Sequence, residues 1–377
     1  MVAEEYRSLL ESLWGDIASE PLTPHERVSM TLDHIQPDRV PFDYHAVGEL
    51  TASLLRYFGL EDEEELQRLL GCDCRRFVAP YRGALERDEG DGSFYNVWGA
   101  HRKLVSNETS TYEEAAGYPL AGSDAAAVAG YARWPVPELW DWESIREKIG
   151  EQESRSGTRF HNRIHIGGIF ETAWALYGLE DFLVGLMVEP EVPIAIMERV
   201  TDILVQCVQL IRDTIGTRVD MIATYDDIAT QQNLLVSPDV WERYILPCHR
   251  RVEQEIRRCG YSFFYHSCGS VFDLIPRFIS EMGIDVLDPM QPRAAGMDFG
   301  KIKERFGAQV TFHGGGDLQH TLPFGSEEEV SAEVDRLCRV LGKGGGYICS
   351  GAHHFQADTP NRNIAAFYST RRRPDGD

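Results

Sequence analysis

Short apolar segments alternate with helical patterns along most of the chain, and this alternation predicts the secondary structure. Eight segments have the composition of buried strands, because apolar and β-branched residues recur in them between turn residues. They cover residues 39–45, 75–80, 159–168, 220–227, 261–269, 285–291, 309–316 and 346–353. From the fourth segment onward the alternation of strand and helix is clear.

Between the strands, apolar residues recur every three or four positions, as they do on one face of a helix. The longest such stretch lies between the third and fourth strands and carries Val200, Ile203, Leu204, Cys207, Ile211 and Ile215. Later helices are predicted at 272–282, 299–306 and 327–341. A glycine follows each of these three, as is common where helices end.

Strands that alternate with helices predict parallel βαβ units, and eight of them predict a closed (β/α)8 TIM barrel of the α/β class. We expect an N-terminal helix at 1–22 and an insertion-like region at 85–160, which is rich in Gly, Trp and Tyr. No low-complexity linker divides the chain, so residues 1–377 are expected to form a single domain. No GxGxxG motif follows an early strand, which argues against a dinucleotide-binding sheet.

The charge of the chain narrows its partners. It has 37 Lys and Arg against 60 Asp and Glu, a formal net charge of −23. So acidic a protein is not expected to bind nucleic acid or an anionic membrane surface. No apolar run could span a membrane and the N-terminus does not resemble a signal peptide, so we expect a cytoplasmic protein with reduced cysteines. The arginine run at 371–373 is expected to be solvated.

Polar residues collect at the C-terminal ends of the predicted strands, where TIM barrels carry their chemistry. Packing alone does not explain why buried apolar strands end in His, Cys and Asp. The candidate acid–base residues are Asp226, Asp227 and His313. The candidate substrate-binding residues are His45, Tyr225, Gln291, Asp317 and Gln319.

His266 and Cys268 form the most specific feature of the sequence. Residues two apart in a strand point to the same face, so this imidazole and this thiolate can converge on one zinc ion. A catalytic zinc site needs a third protein ligand, and the last strand offers Cys349, His353 and His354. The alternative interpretation is that Cys268 is a small buried side chain and His266 a hydrogen-bonded core residue.

Two other motifs have a structural and a functional interpretation. Asp226 and Asp227 can act as acid and base or bind a cation, or they can be a helix N-cap beside a buried, hydrogen-bonded carboxylate. The glycines at 314–316 can let a ligand approach the backbone closely, although a glycine run alone is weak support for that role.

Five stretches of the chain resemble the uroporphyrinogen decarboxylase superfamily, a set of (β/α)8 barrels. They include YHSCG, FHGGGD and GGGYICSGAHH, and they lie at 23–43, 226–252, 265–292, 312–330 and 344–364. True uroporphyrinogen decarboxylases hold substrate carboxylates with an N-terminal PxxWxMRQAGRY segment. This chain has VPFDYHAVGEL there, which argues against a porphyrinogen substrate.

In motif, the chain most resembles the corrinoid-linked methyltransferases of that superfamily, which bind zinc through His-x-Cys and a distant Cys. His266 and Cys268 match the first two positions. Alignment on the shared Thr-Pro at 359–360 places His353 at the third position, with Cys349 four residues earlier as the alternative.

The resemblance implies a zinc-dependent methyltransferase that moves a methyl group between a small molecule and a corrinoid (cobalamin) on a partner protein, because the chain has no DxHxxG corrinoid motif. The small molecule would be a methoxylated aromatic compound, or a thiol or folate acceptor, and the direction of transfer stays open, as does a homodimer. Aromatic residues expected near a methoxylated ring are Tyr44, Tyr95, Trp98 and Tyr225. The alternatives are a cofactor-independent decarboxylase of a smaller acid, which needs a cationic carboxylate clamp, and a non-catalytic binding protein.

Overall fold

The computed structural model describes residues 2–14, 20–88, 90–106 and 111–370, and its central element is a parallel sheet of seven strands. With strands numbered along the chain, β2 (Phe94–Tyr95), β3 (His101–Ser106) and β4 (Thr111–Gly117) form a separate antiparallel sheet. The order of the parallel sheet is β1 (Cys74–Phe77), β5 (His161–Gly167), β6 (Met221–Tyr225), β7 (Ser262–His266), β8 (Val286–Asp288), β9 (Thr311–Gly316) and β10 (Tyr347–Gly351). These seven confirm seven of the eight predicted strands and the TIM-barrel type of fold. The arginine run 371–373 lies outside the described residues.

The predicted strand at 39–45 is wrong as a regular strand, although its residues lie where the eighth strand of a barrel would lie. A single parallel bridge joins Phe42 to Cys349 in β10. On the other side, Phe42 O accepts a hydrogen bond of 2.8 Å from Asp73 N, next to β1. The ladder stops there because Pro41 has no N–H and because Phe42 N donates to the Asp73 side chain at 2.9 Å.

Helices connect successive strands and cover the outside of the sheet. They are α1 (Ala3–Trp14), α2 (Pro24–Leu32), α3 (Gly48–Phe58), α4 (Glu63–Leu69), α5 (Ala125–Ala129), α6 (Trp142–Ser156), α7 (Phe170–Tyr177), α8 (Leu179–Val188), α9 (Glu191–Thr214), α10 (Pro238–Val240), α11 (Leu246–Arg258), α12 (Ile275–Arg277), α13 (Phe299–Phe306), α14 (Thr321–Phe324), α15 (Glu327–Leu341) and α16 (Asn361–Ser369). Within the described ranges, none of them has the length and apolarity to cross a membrane.

The helices predicted from apolar spacing are present, and their ends have local causes. α13 and α15 coincide with the predicted 299–306 and 327–341. α15 begins with a capping box, in which the Ser326 side chain accepts from Glu329 N and Glu329 accepts from Ser326 N, so both backbone donors are satisfied. The predicted helix at 272–282 is broken into 3-10, α and π turns.

Alternate residues of the strands face the lumen of the barrel. Phe264 of β7 fills the lumen below the strand ends, with the Arg163 guanidinium 4.0 Å from its ring centroid and the His313 ring centroid at 5.1 Å. The Phe264 ring therefore closes the lumen from below, and the space at the C-terminal ends of the strands is left for a site.

The region 85–160 contributes the β2–β4 sheet, α5 and α6 beside the barrel. Three of its tryptophans, Trp98, Trp140 and Trp142, line a cavity of about 320 Å³ that reaches Arg76 of β1 and Tyr225 of β6. The region 85–160, called the additional segment below, thus places an aromatic wall next to the barrel strands.

Candidate active site at the barrel mouth

A cavity of about 340 Å³ lies at the C-terminal ends of the parallel strands. Its volume is at the small end of the range for small-molecule sites, roughly 300–1,000 Å³. All seven strands of the parallel sheet contribute lining residues, which include Arg76, Arg163, His165, Tyr225, His266, Asp288, His313 and Ser350. The site therefore occupies the position at which TIM barrels carry out catalysis.

The period of two along a strand decides which predicted residues reach this cavity. Tyr225 lines it, whereas the next residue, Asp226, is fully buried on the other side of β6. In β10, Ser350 lines it, whereas Cys349 is fully buried and does not. Adjacent residues of one strand thus lie on opposite faces of the sheet: one lines the cavity, and the next is buried between the sheet and the helices.

Three candidate metal ligands converge at the cavity. A nitrogen of His266, the sulfur of Cys268 and a nitrogen of His353 all lie within 4.8 Å of one another. Cys268 Sγ is 3.3 Å from His266 Nε2, and the His266 and His353 ring centroids are 5.6 Å apart. Cys349, the alternative third ligand, is not part of this group. Two imidazoles, one thiol and an open side are the donor set of a catalytic zinc site.

Asp288 holds the two central histidines from the side away from the sulfur. Its Oδ2 is 2.5 Å from His266 Nδ1, and its Oδ1 is 2.6 Å from His313 Nδ1. His313 Nε2 in turn lies 3.0 Å from Asp43 Oδ2, which also accepts from Arg163 at 2.8 Å. Metal-binding histidines usually have their second ring nitrogen on a carboxylate, and Asp288 supplies that contact to His266.

Burial and the Asp288 carboxylate together set the pKa values in the group formed by His266, Asp288 and His313. Burial alone would lower the pKa of His266 and of His313, but the Asp288 carboxylate between them raises both pKa values. Burial alone would raise the pKa of Asp288, yet the two imidazoles hold it well below its usual range. Asp288 is therefore ionised and positions both rings. His313, predicted as an acid–base residue, has both ring nitrogens bound to carboxylates.

Asp227 and Glu171 line the cavity on the side of Cys268. Asp227 Oδ1 accepts from Cys268 N at 2.7 Å, and Glu171 Oε1 accepts from Asp227 N at 2.7 Å. Burial and the carboxylates of Asp227 and Asp226 raise the pKa of Glu171 to about 7. Glu171 can therefore hold a proton at neutral pH, which an ordinary carboxylate does not.

Asp226 has the geometry of a helix cap rather than of an acid in the cavity. Its carboxylate accepts from Ile169 N at 3.1 Å and from Glu171 N at 2.8 Å, at the first turn of α7. His249 Nε2 lies 2.9 Å from Asp226 Oδ2. A carboxylate at the N-terminus of a helix satisfies its unpaired amides and its dipole.

Three of the predicted substrate-binding residues do not line the cavity: Gln291 and Asp317 support loops, and Gln319 lies at the surface. Gln291 Oε1 accepts from Gly269 N at 2.7 Å, which fixes the loop after Cys268. Asp317 accepts from Gln319 N at 3.0 Å and from Arg293 Nε at 2.7 Å. Gln319 is exposed.

The other predicted substrate-binding residues, His45 and Tyr225, do line the cavity. Of the aromatic residues expected at the mouth, Trp98 lines the neighbouring cavity. Tyr44 is buried against Thr51, with its hydroxyl 2.9 Å from the threonine oxygen, and Tyr95 stacks on a histidine within the additional segment.

Four further residues line the cavity that the strand-end pattern did not predict: Arg76, Arg163, His165 and Glu171. Arg163 and His165 stand two apart in a buried strand, the same spacing that singled out His266 and Cys268. That spacing could have predicted that Arg163 and His165 share a face of the strand. Glu171 lies in a helix, and no local pattern marks it.

Comparison with known proteins adds the following. The model of the Uroporphyrinogen decarboxylase (URO-D) family matches residues 160–374, more than half of the chain. Curated protein sequences contain no match. Among solved structures, a methyltransferase from Methanosarcina mazei is similar with a TM-score of 0.64 and 17% identity, covering 92% of this chain and 97% of that one.

Other structural likenesses are weaker. An L-ribulose 3-epimerase gives a TM-score of 0.40 at 16% identity, over 62% of this chain and 79% of its own. The GH53 catalytic domain of Ignisphaera aggregans gives 0.42 at 10% identity, over 88% and 96%. The family match covers β5 to β10 and includes His266, Asp288, His313 and His353. This chain therefore belongs to the uroporphyrinogen decarboxylase (URO-D) family.

Proposed function

We propose that this protein is a zinc-dependent methyltransferase that moves a methyl group between a small molecule and a separate corrinoid protein. The observation that carries the proposal is the convergence of His266, Cys268 and His353 within 4.8 Å at the wall of the cavity. The Methanosarcina mazei protein that shares the fold is described as a methyltransferase, which agrees with the proposal.

The three side chains fit zinc by their chemistry. Zinc binds imidazole nitrogen and thiolate sulfur together, and a catalytic site combines three such ligands with one open position. His266 offers Nε2, because Nδ1 is engaged by Asp288. Zinc bound there would act as a Lewis acid on the oxygen or sulfur atom that carries the methyl group.

The residues around the cluster account for the proton in the reaction. When a methyl group leaves an ether oxygen for cobalt(I) without its bonding electrons, the oxygen keeps the electron pair and needs a proton. Glu171, with a pKa raised to about 7 by burial and neighbouring carboxylates, holds such a proton at the cavity wall. In the reverse direction the same carboxylate accepts it. Asp227, which lines the cavity beside it, is the second candidate for this role.

Zinc analysis tests the donor set directly. We expect about one zinc per chain in the wild-type protein, and a loss of zinc in Cys268→Ala and in His353→Ala. Cys349→Ala is the matched control, since that buried cysteine is the other candidate ligand. Zinc retained in Cys268→Ala would refute the proposed site. Zinc lost in Cys349→Ala but kept in His353→Ala would move the third ligand to Cys349.

Methyl transfer is followed by the absorbance change from cob(I)alamin to methylcobalamin with a methoxylated aromatic donor. We expect the wild type to catalyse this change and Cys268→Ala to be inactive. A metal-free protein with full activity would refute the mechanism.

Decarboxylation of a small acid is the second candidate function. The observation that favours it is the presence of arginine in the cavity wall, as a carboxylate clamp would need: Arg76 lines the cavity, and so does Arg163, although Arg163 is paired with Asp43. Release of carbon dioxide from an aromatic or aliphatic acid without corrinoid and without zinc distinguishes this activity from methyl transfer.

A further inference from the structure

Arg76 is a cation at the cavity wall that lacks an anionic partner in the described part of the chain. It lies on β1, faces the lumen side and lines both the cavity at the barrel mouth and the cavity beside it. Its Nε is buried and makes no hydrogen bond. A partly buried guanidinium whose Nε has no acceptor is unfavourable, and an anion bound in the cavity would supply that acceptor.

The two arginines nearest to Arg76 in the sheet, Arg75 and Arg163, each pair with a carboxylate of the chain. Arg75, which faces the opposite side of β1, forms two hydrogen bonds of 2.7 and 2.9 Å with the Glu64 carboxylate. Arg163, the register partner of Arg76 on β5, is bound to Asp43 at 2.8 Å. Both are neutralised within the chain, and Arg76 differs from them in facing the cavity without a carboxylate.

Arg76 keeps its positive charge in these surroundings. Burial and the nearby Arg163 lower its pKa to about 10, while the carboxylates of Asp43 and Glu63 act in the opposite direction, so the guanidinium is still protonated at neutral pH. The histidines beside it add no compensating anion: burial holds the pKa of His45 and of His165 well below the usual range. The three lining carboxylates have other partners: Asp288 contacts His266 and His313, Asp227 accepts from Cys268 N, and Glu171 accepts from Asp227 N.

We propose that the small-molecule methyl donor or acceptor carries a carboxylate, which pairs with Arg76. This inference rests on the proposed methyl transfer for the role of the molecule, but the binding site stands on the unpaired guanidinium. The planar fork of an arginine binds both oxygens of a carboxylate at once. A molecule with its methyl-bearing atom at the His266–Cys268–His353 cluster and its carboxylate at Arg76 would span one cavity.

The shape of the site favours an aromatic acid. The cavity of about 340 Å³ suits a single substituted ring, and Tyr225 lines it next to Arg76. The adjoining cavity, which shares Arg76, is walled by Trp98, Trp140 and Trp142. A methoxybenzoate has the methyl ether, the ring and the carboxylate that these three parts would recognise.

Binding of an isosteric pair tests the inference without methyl transfer. The probes are 4-methoxybenzoate and 4-methoxybenzamide, titrated calorimetrically into zinc-loaded protein. We expect the acid to bind roughly ten- to hundredfold more tightly than the amide, as one charged hydrogen-bonded pair supplies. In Arg76→Gln this preference is expected to disappear, and in Arg76→Lys to shrink.

Arg56→Gln is the matched control, because it removes one exposed arginine of α3 and should keep the preference. The melting temperature of Arg76→Gln is expected to stay the same or to rise, whereas a purely structural arginine would lower it. Equal binding of acid and amide, or no saturable binding of the acid, overturns the inference.

Failure of this inference and failure of the proposed function give different results. If the acid binds through Arg76 but no methyl reaches the corrinoid, the carboxylate site stands and methyl transfer is refuted. If neutral methoxyarenes are demethylated as fast as the acid, methyl transfer stands and the carboxylate site is refuted. If carbon dioxide is released from the acid, the bound carboxylate is the reacting group.

Discussion

Asp288 links His266 of the proposed metal site to the buried His313. It bridges these two histidines, and each of its oxygens lies within 2.6 Å of one imidazole nitrogen. Because the second nitrogen of a zinc-binding imidazole sets its tautomer and orientation, this carboxylate should control zinc affinity as strongly as a weak ligand would.

Asp288→Asn keeps the shape of the side chain and removes its charge. We expect zinc affinity, measured by competition with a chelator, to fall roughly 10- to 100-fold. Asp317→Asn is the control, since Asp317 also follows a barrel strand but binds Arg293 and backbone amides outside the cavity lining. Equal affinity of Asp288→Asn and wild type would show that Asp288 does not support the metal.

Glu171 should set the pH dependence of methyl transfer from an ether. Its pKa of about 7, raised by burial and two carboxylates, makes the protonated form dominant below pH 7, so the rate should fall as the pH rises above about 7. Glu171→Gln cannot donate a proton and should be slower with a flatter profile. The exposed Glu180→Gln of α8 should keep the wild-type profile. An unchanged profile in Glu171→Gln would assign the proton to another group.

At the scale of single residues, spacing predicted His266 and Cys268 because both lie on one short strand end. It could not separate His353 from Cys349. That choice depends on how the chain runs after β10, where Cys349 faces the helices and His353 lies beyond the strand at the mouth.

At the scale of elements, the segment at 39–45 is held by a buried ionic cluster in addition to its parallel bridge to β10. The Asp73 carboxylate accepts hydrogen bonds from Arg27 at 2.6 Å and from Arg39 at 2.7 and 2.9 Å. It also accepts from Phe42 N at 2.9 Å. α2, the segment and β1 are thus joined at one buried carboxylate.

Asp73→Asn should destabilise the fold by about 1.5–3 kcal/mol, because Arg27 and Arg39 lose one charged hydrogen-bond partner while Asp38 and Glu20 still pair with them. Urea unfolding measures this free energy. Asp202→Asn, which removes a surface pair with Arg251, is expected to cost about 1 kcal/mol or less. A similar small effect for both variants would show that the cluster does not hold the segment.

The glycine run in β9 has an explanation at the same scale. Gly314 and Gly315 have φ values of 91° and 109°, which side-chain-bearing residues rarely adopt. A Cβ on Gly315 would come within 3.0 Å of Leu337, and one on Gly316 within 2.9 Å of Phe367. The close approach is thus to packed protein atoms, and packing accounts for the run without a ligand.

At the scale of the whole molecule, buried neutral histidines should make the fold sensitive to acid. His161 of β5 is buried beside His25, and burial lowers its pKa from 6.5 to about 4. The folded state therefore binds fewer protons than the unfolded state between these values. Above pH 6.5, His161 is neutral in both states and does not lower the free energy of unfolding. As the pH falls from 6.5 towards 4, protonation of His161 in the unfolded state lowers that free energy by up to about 3 kcal/mol.

Unfolding free energies at pH 7 and pH 4.5 test this. His161→Gln should lose less stability between the two pH values than the wild type does. His320→Gln, which removes an exposed histidine, should lose as much as the wild type. Parallel losses in all three proteins would place the acid sensitivity elsewhere.

The sequence by itself determined the order of strands and helices, since apolar period follows from which face of each element is buried. It also determined that His266 and Cys268 share a face, because that relation is local. It could not determine that Phe42 N would donate to the Asp73 carboxylate instead of to a neighbouring strand. Only the tertiary structure decided that His353 would meet His266. It also decided that Arg76 would face the same cavity with no carboxylate partner among the described residues. Those relations join residues far apart in the chain, and contact between such residues depends on the curvature and register of the whole sheet.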